Sequence, residues 1–373
     1  MKLPRLLFVV TEDWYFVSHR LPLAVAARKA GFDVAVATRV HEHGEQIVAA
    51  DIRLIPFELS RQSGNPFSEV FRLIRLYRLE QPTIVHHVAL KPVLFGTLAA
   101  RLARVPFIVN AIAGLGWLFS SSGRLAKFMR PWVRLVLTRL LAAPNVRTIV
   151  QNPDDHALLV HAGLPPTQLR LIRGAGVDVN TFTPALAAPP LPVTVMLVAR
   201  MLWDKGVGEL MVAAQRLHAQ GLDARFVLVG DPDPANPASI PLAQLREWHG
   251  HNGVEWWGRR EDMPAVLRQA HIACLPSFYG EGLPKSLLEA AACGLPIVTT
   301  DAPGCREVVS DHDNGFLVPI RDPLALADAL KKLILDPALR QRMGQRSRAK
   351  ALAAFSQDQV IADTLRVYQE RLA

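Results

Sequence analysis

Apolar, strand-like runs alternate with helical stretches along almost the whole chain. Continuous apolar strands separated by helices are typical of parallel sheets that are covered by helices. In the first half this alternation predicts strands at 5–10, 31–38, 83–89, 106–114, 147–152 and 169–178, with helices at 18–30, 92–103 and 154–162. The pattern therefore predicts an α/β fold.

The alternation starts again after a segment rich in proline and alanine, 183–192, which is typical of a linker. The second half predicts strands at 193–200, 224–230, 254–258, 271–277 and 297–300, with helices at 206–220 and 262–270. A chain of 373 residues is also too long for one ordinary core. We expect two Rossmann-like domains that face each other across a cleft, at 1–185 and 186–355. A last helix at 356–373 can return to the first domain.

The segment 281–309, EGLPKSLLEAAACGLPIVTTDAPGCREVV, is the most informative stretch for function. It places Glu281 and Glu289 on either side of a glycine–proline turn that opens a helix. The N-terminus of a helix offers N–H groups and a positive dipole end, which suit a phosphate. One carboxylate can then reach a ribose and the other a sugar ring. Two glutamates at this spacing are also common as solvated helix charges, so the spacing alone leaves both readings open.

Arg200 and Lys205 flank the turn between the first strand and the first helix of the second domain. Ligands of doubly wound sheets bind at the carboxyl ends of the strands, so both cations can point into the cleft. A diphosphate leaving group needs such charge, because its negative charge grows in the transition state. An ordinary surface arginine and lysine in a turn is the alternative.

The strings ARMLWDKG, VLVGDP, WWGRREDMP and EGLPKSLLEAAACGLPIVTTDAPGCREVV resemble the retaining family 4 glycosyltransferases of GT-B architecture over essentially the whole second domain. In the first domain, IVHHVALKPVLFGTLAARLARVPFIVNAIAGLGWLFSS and QNPDDHALLVHAGLPPTQLRLIRGAGVDVNTFTP are similar to the branch that builds lipid-linked glycans of the O-antigen or capsule type. The resemblance covers most of the chain.

The resemblance implies a role for particular residues. Arg200 and Lys205 match the pair that holds the donor diphosphate, Glu281 matches the glutamate that contacts the donor sugar, and Glu289 matches the one that binds the ribose. Further donor contacts are implied at Gly282, Leu283, Lys285, Ser286, Trp257 and Arg259. For Trp257, a place in the core is an equally good alternative.

The chain departs from the family at one position in the first domain. Many members carry a histidine after the fourth or fifth strand, where this sequence has Ala113. Another polar residue is therefore expected to act on the acceptor side. The candidates are His19, His86, Lys91 and Asn110, with His87 next to His86. A buried strand-end pair is the alternative for the two adjacent histidines.

The net charge of +9 is unevenly distributed. Residues 1–185 hold 22 Lys/Arg and 12 Asp/Glu, whereas residues 186–373 hold 20 and 21. Within 61–147, 13 basic residues face only two acidic ones, which implies an anionic partner. The stretch GRLAKFMRPWVRLVLTRL predicts a basic amphipathic helix that suits the cytoplasmic membrane face, although an ordinary surface helix is the alternative. No nucleic-acid-binding motif is present, so nucleic acid is not expected as a partner.

Neither a metal nor another cofactor is expected. The aspartates of Asp231-Pro232-Asp233 form a D-x-D string, but the prolines and the preceding glycine favour a turn. The three cysteines show no C-x-x-C pair and are expected to be reduced and structural. The apolar run at the N-terminus is too short for a signal-peptide core, so we expect a peripheral protein on the inner face of the cell membrane.

The resemblance, together with these features, implies a metal-independent, retaining glycosyltransferase. It would move a sugar from a nucleotide sugar, expected to be UDP-linked, onto a polyprenyl-diphosphate-linked saccharide in surface polysaccharide synthesis. A nucleotide-sugar epimerase or hydrolase of the same fold, or a non-enzymatic binding protein with two domains, remains an alternative. A dehydrogenase is disfavoured, because the first strand leads into TEDWYF and not into a G-x-G-x-x-G turn.

Overall fold

The structure is a computed structural model that describes residues 3–59, 65–115 and 138–371. The chain forms two compact units, residues 1–175 with 358–373, and residues 176–357. The first boundary therefore falls before the predicted break at 185. Val177 already belongs to the second unit, where its N–H donates to the carbonyl of Phe355 and its carbonyl accepts from the N–H of Gln357.

The first unit contains a parallel sheet whose central strands are buried on both faces, whereas its two edge strands are partly exposed. In the described residues its order is β3-β2-β1-β4-β5-β6-β7. Alternate residues of β1 pack into separate core clusters on the two faces, which explains why its sequence is continuously apolar. The strands are β1 (Arg5–Glu12), β2 (Asp33–Arg39), β3 (Arg53–Pro56), β4 (Ile84–Val88), β5 (Phe107–Ala111), β6 (Val146–Val150) and β7 (Leu169–Leu171).

The helices of the first unit differ from the prediction in several places, and the helices Gly44–Ala49 and Pro66–Glu80 were not predicted. The helix predicted at 18–30 spans Leu21–Lys29, and a separate helix, Asp13–His19, precedes it. Pro22 stands in the first turn of the second helix and lacks the N–H needed to continue the first. The region 92–103 begins with a π-helical turn, Pro92–Gly96, and continues as an α-helix. The helices are α1 (Asp13–His19), α2 (Leu21–Lys29), α3 (Gly44–Ala49), α4 (Pro66–Glu80), α5 (Thr97–Leu102) and α6 (Pro153–His161).

The second unit contains another parallel sheet, with the order β10-β9-β8-β11-β12-β13. Its strands are β8 (Val193–Val198), β9 (Ala224–Val229), β10 (Val254–Trp256), β11 (Ile272–Leu275), β12 (Ile297–Thr300) and β13 (Gly315–Val318). Its helices are α7 (Val207–Ala219), α8 (Leu242–Trp248), α9 (Met263–Leu267), α10 (Lys285–Ala292), α11 (Cys305–Val308), α12 (Pro323–Leu335) and α13 (Pro337–Ala354).

Several helices begin at an Asn-Pro or Asp-Pro pair. In each case the Asn or Asp side chain accepts a hydrogen bond from an N–H of the first turn, and the proline occupies the first helical position, where no N–H is needed. These local signals define the start of α4, α6, α12 and α13. None of the helices within the described ranges combines the length and the apolarity that crossing a bilayer requires.

The last helix, α14 (Gln357–Gln369), packs in the first unit. Tyr368 is completely buried there, and its hydroxyl is hydrogen-bonded to Nδ1 of His86. Glu370, just beyond the helix, pairs with Arg147 and Arg170 on β6 and β7. The end of the chain therefore completes the core of the first unit.

Candidate active site

The strand order of the second unit reverses between β8 and β11. From β8 the chain continues to β9 on one side, and β11 lies on the other side. In open parallel sheets, ligands bind outside the carboxyl ends of the strands at such a switch point. Lys205 follows β8 in a 3₁₀ turn, Trp203–Lys205, and Glu281 follows β11. The topology therefore brings these two predicted site residues to one crevice.

Lys205 and Glu281 are in direct contact. Nζ of Lys205 donates to Oε1 of Glu281, and the two side chains are only 17% and 15% exposed. The hydroxyl of the fully buried Ser277 lies 3.1 Å from the same Oε1 and 3.0 Å from the carbonyl oxygen of Asp204. Its proton can therefore be shared between the two acceptors, which ties the Lys205 turn to the Glu281 loop.

Two glycines allow these loops to approach closely. Gly206 has φ +74°, and a Cβ at this position would lie 2.1 Å from the carbonyl oxygen of Pro276. Gly304 has φ +80°, and its Cβ would lie 2.5 Å from the carbonyl oxygen of Gly282. A side chain at either position would displace the loop that carries Lys205 or the loop that carries Glu281.

Helix α10 begins four residues after Glu281. Its N-cap is Pro284, whose side chain makes no capping hydrogen bond, and its first turn contains no acidic residue. Lys285 and Ser286 are its first residues, so the positive end of the helix is not neutralised by a carboxylate of its own first turn. The predicted Gly282 and Leu283 lie in the loop between Glu281 and this helix.

Glu289 lies one turn into α10 and is nearly buried. Its Oε1 is 3.3 Å from Nζ of Lys285, and its side chain is 9% exposed. Burial raises the pKa of the Glu289 carboxyl, and the neighbouring Lys285 partly offsets this effect. An anionic Glu289 is therefore stabilised mainly by a cation at the start of its own helix.

The remaining donor-side candidates, Arg200, Trp257 and Arg259, follow β8 and β10. Arg200 Nη1 lies 2.6 Å from Oδ2 of Asp233. The backbone N–H of Arg259 donates to Oδ1 of Asp231 at 3.0 Å, which joins the loops after β9 and β10. Trp257 is half-buried, packs against the core of the unit, and donates from Nε1 to Oε2 of Glu255.

His86 and Asn110, two of the predicted acceptor-side residues, are core residues in the structure. Both side chains are 0% exposed. Oδ1 of Asn110 accepts from Nδ1 of His87 at 2.8 Å and from the hydroxyl of Thr97 at 3.0 Å. Nε2 of His87 therefore accepts from the hydroxyl of Tyr77 at 2.8 Å. An acceptor cannot touch His86 or Asn110 without opening the core, so their predicted role needs correction.

Lys91 and His19 lie nearer to the surface of the first unit. Lys91 follows β4 and pairs with Glu69 of α4 at 2.9 Å. His19 lies in the last turn of α1, which follows β1, and its ring stacks on Tyr15 with 4.2 Å between the centroids. The strand order of the first unit reverses between β1 and β4, so both residues follow strands of its switch point. Ala113 is half-buried just after β5.

Comparison with known proteins shows that each half of the chain matches a glycosyltransferase family model. The family model "Glycosyl transferases group 1" matches residues 192–336, and "Glycosyl transferase 4-like" matches residues 5–146. The chain is a member of the glycosyltransferase family. A relative from Campylobacter jejuni, "N,N'-diacetylbacillosaminyl-diphospho-undecaprenol alpha-1,3-N-acetylgalactosaminyltransferase", is 29% identical over 89% of this glycosyltransferase and 90% of its own length.

A second relative of this glycosyltransferase, from Escherichia coli, is "UDP-Gal:alpha-D-GlcNAc-diphosphoundecaprenol alpha-1,3-galactosyltransferase". It is 27% identical over 76% of this chain and 75% of its own length. Among solved structures, HepE of Anabaena in complex with UDP has a TM-score of 0.79 at 17% identity, covering 98% of this chain and 100% of its own. Sucrose-phosphate synthase of Thermosynechococcus elongatus has a TM-score of 0.79 at 21% identity over 98% of both chains. These likenesses confirm the predicted GT-B fold.

The candidate site includes residues that the sequence pattern did not single out. Ser277 was missed, although its place directly after an apolar strand is a signal in a parallel sheet. Asp233 was considered only as part of a possible metal-binding string, whereas the structure shows it paired with Arg200. Within residues 3–59, 65–115 and 138–371, no cluster of three or more His, Cys, Asp or Glu residues could hold a metal ion.

Proposed function

We propose that this glycosyltransferase moves a sugar, with retention of anomeric configuration, from a UDP-sugar to a polyprenyl-diphosphate-linked saccharide. The observation that carries the proposal is the contact between Lys205 and Glu281 at the switch point of the second unit. The names of the two relatives describe similar reactions. Both name a saccharide linked to diphospho-undecaprenol, and one also names a UDP-sugar. The structurally similar HepE was crystallised with UDP.

The donor is proposed to bind along the carboxyl edge of the second sheet. Its diphosphate would accept hydrogen bonds from Lys205, Arg200 and the first N–H groups of α10. Glu281, already oriented by Ser277, would accept from hydroxyls of the sugar. The nearly buried carboxylate of Glu289 would accept from the ribose hydroxyls and gain partners that replace its lost hydration.

The chemistry then needs no dedicated nucleophile. The bond between the anomeric carbon and the diphosphate oxygen breaks, and negative charge grows on the diphosphate beside Lys205 and the helix N-terminus. The acceptor hydroxyl forms its new bond on the same face of the sugar. Its proton moves to the departing phosphate oxygen, so the charges balance without a metal ion or a separate base.

The acceptor is proposed to bind the first unit, with His19 and Lys91 as the remaining candidate contacts. The protein would act as a peripheral protein on the inner face of the cell membrane, with the basic segment 61–147 near anionic lipids. The excess of basic residues in this segment supports the idea. The predicted amphipathic stretch from Arg124 to Arg134 lies outside the described residues.

The reaction is tested with Lys205→Ala, assayed as UDP release from a panel of UDP-sugars in the presence of an undecaprenyl-diphosphate-linked saccharide. We expect kcat to fall by about 100-fold to 1000-fold, as for other groups that stabilise developing charge. Lys331→Ala, which removes a lysine of α12 in the same unit, is the matched control and should keep normal turnover. Near-normal turnover of Lys205→Ala would exclude the proposed role.

A second arm of the same assay omits the acceptor. A transferase should release UDP much more slowly without the acceptor than with it. Equal rates in both arms would identify a nucleotide-sugar hydrolase and would refute the transfer reaction. Conversion of the donor sugar to another isomer would identify an epimerase.

A further inference from the structure

The solvent side of α4 combines exposed aromatic residues with basic ones. Phe67 is 85% exposed, Phe71 is 68% exposed and Leu79 is 76% exposed, values that are unusual for large apolar side chains. Helical spacing places three exposed arginines on the same side as these residues: Arg72, Arg75 and Arg78. The opposite side of the helix is buried in the core through Leu73, Leu76 and Tyr77.

The acidic residues of α4 do not neutralise this side. Glu69 is 4% exposed and forms an ion pair with Lys91 on the inner side of the helix. The side chain of Glu80 is 12% exposed and is paired with Arg53 of β3. The exposed side of α4 is therefore positive as well as apolar.

Helix α5 extends the same surface. It packs beside α4, and Ala99 and Ala100 share the core cluster of Leu73 and Leu76. Its solvent side exposes two leucines, 38% and 54% exposed, and one arginine. We define the α4–α5 surface as Phe67, Phe71, Arg72, Arg75, Arg78, Leu79, Leu98, Arg101 and Leu102.

We propose that the α4–α5 surface is the membrane-contact surface of this protein and binds the interface of a bilayer that contains anionic lipids. This inference rests on the proposed function, which places the basic segment 61–147 near anionic lipids without naming the helices that make the contact. The aromatic and leucine side chains enter the boundary between headgroups and acyl chains, and the arginines bind anionic headgroups. A second copy of the chain is a poor occupant, because it would set arginines against arginines.

The position of the surface relative to the sheet supports a lipid partner. Helix α4 begins at the carboxyl edge of the first sheet, where ligands of parallel sheets bind. Glu69, two residues after Phe67, holds Lys91 at this edge. Contact of Phe67 and Phe71 with a bilayer would therefore bring Lys91 close to the headgroups, the depth at which the diphosphate of a polyprenyl-linked acceptor lies.

The test measures co-sedimentation of the full chain with phosphatidylcholine vesicles that do or do not contain phosphatidylglycerol. The first variant carries Phe67→Ser and Phe71→Ser, and we expect each change to weaken binding about tenfold. The second variant carries Arg75→Gln and Arg78→Gln, and we expect each change to weaken binding about fivefold. This loss should appear on anionic vesicles only, and it should be smaller at high salt.

Matched controls are Val48→Ser and Lys29→Gln, which alter an exposed apolar and an exposed basic residue elsewhere in the first unit. Both controls should bind like the parent protein. If the parent binds anionic vesicles and the double phenylalanine variant binds equally well, the contact lies elsewhere and this inference is wrong, although the proposed peripheral location stands. If the parent protein binds no vesicles, both membrane proposals are wrong. The donor site is tested separately, by measuring whether UDP raises the melting temperature of the protein.

Discussion

Replacing Gly206 with alanine tests whether the site depends on the close approach of two loops. An L-residue at φ +74° costs about 1–2 kcal/mol. The new Cβ would also lie 2.1 Å from the carbonyl oxygen of Pro276, whereas unstrained carbon contacts need about 3.5 Å. The Lys205 turn and the strand end must then separate by about 1.4 Å, and a misplacement of about 1 Å can already cost about 100-fold in rate.

Gly221→Ala is the matched control, because Gly221 has φ +76° and a Cβ added there would meet no atom from elsewhere in the chain within 4 Å. Both variants are assayed for kcat by UDP release and for stability by urea unfolding. Gly221→Ala should lose about 1–2 kcal/mol of stability and keep normal turnover. Gly206→Ala should lose more stability and about 100-fold in kcat. Equal turnover of the two variants would refute the argument that loop approach positions Lys205.

Two further predictions follow from buried polar groups. Ser277→Ala removes a hydroxyl that lies 3.1 Å from the Glu281 carboxylate, so kcat should fall by about tenfold or more; steady-state rates equal to those of the parent would show that this hydroxyl does not orient Glu281. Burial lowers the pKa of His87 to about 4 from 6.5, so the unfolded chain binds a proton in this range and the native protein does not. Stability is then fully present above about pH 6.5 and declines as the pH falls towards 4, by about 2 kcal/mol at pH 5 from this residue. Urea unfolding across this range should show a shallower pH dependence for His87→Gln, although buried His86 contributes in both proteins; identical dependences would contradict the assignment.

Much of the fold follows from local patterns that the chain repeats. Continuous apolar runs predict strands that are buried on both faces, and four of the Asn-Pro or Asp-Pro pairs start helices. These signals involve only neighbouring residues, so they can be recognised without knowing which elements pack together. The separate helix Asp13–His19 was missed, although Pro22 was a local signal for a break before the next helix.

The burial of polar residues could not be predicted in the same way. His86 was considered an acceptor contact because a polar residue was expected to replace the histidine missing at Ala113, but Tyr368, 282 residues away, lies against its ring in a helix from the end of the chain. Oδ1 of Asn110 accepts hydrogen bonds from His87 and Thr97, which lie in neighbouring elements. Whether a polar side chain on a strand is buried depends on which element packs over it. The sequence of the strand does not show which element that is.

The sequence by itself determined the parallel α/β class, the repetition of the unit and the membership in the glycosyltransferase family, because strand periodicity, helix caps and motif order are properties of neighbouring residues. Only the tertiary structure decided that Lys205 and Glu281, 76 positions apart, are in contact and that Ser277 links the loops that carry them. It also decided that the arginines of α4 share an exposed side with two phenylalanines while the glutamates turn inward. Such pairings arise from strand order and helix orientation, which bring distant parts of the chain together after each has formed.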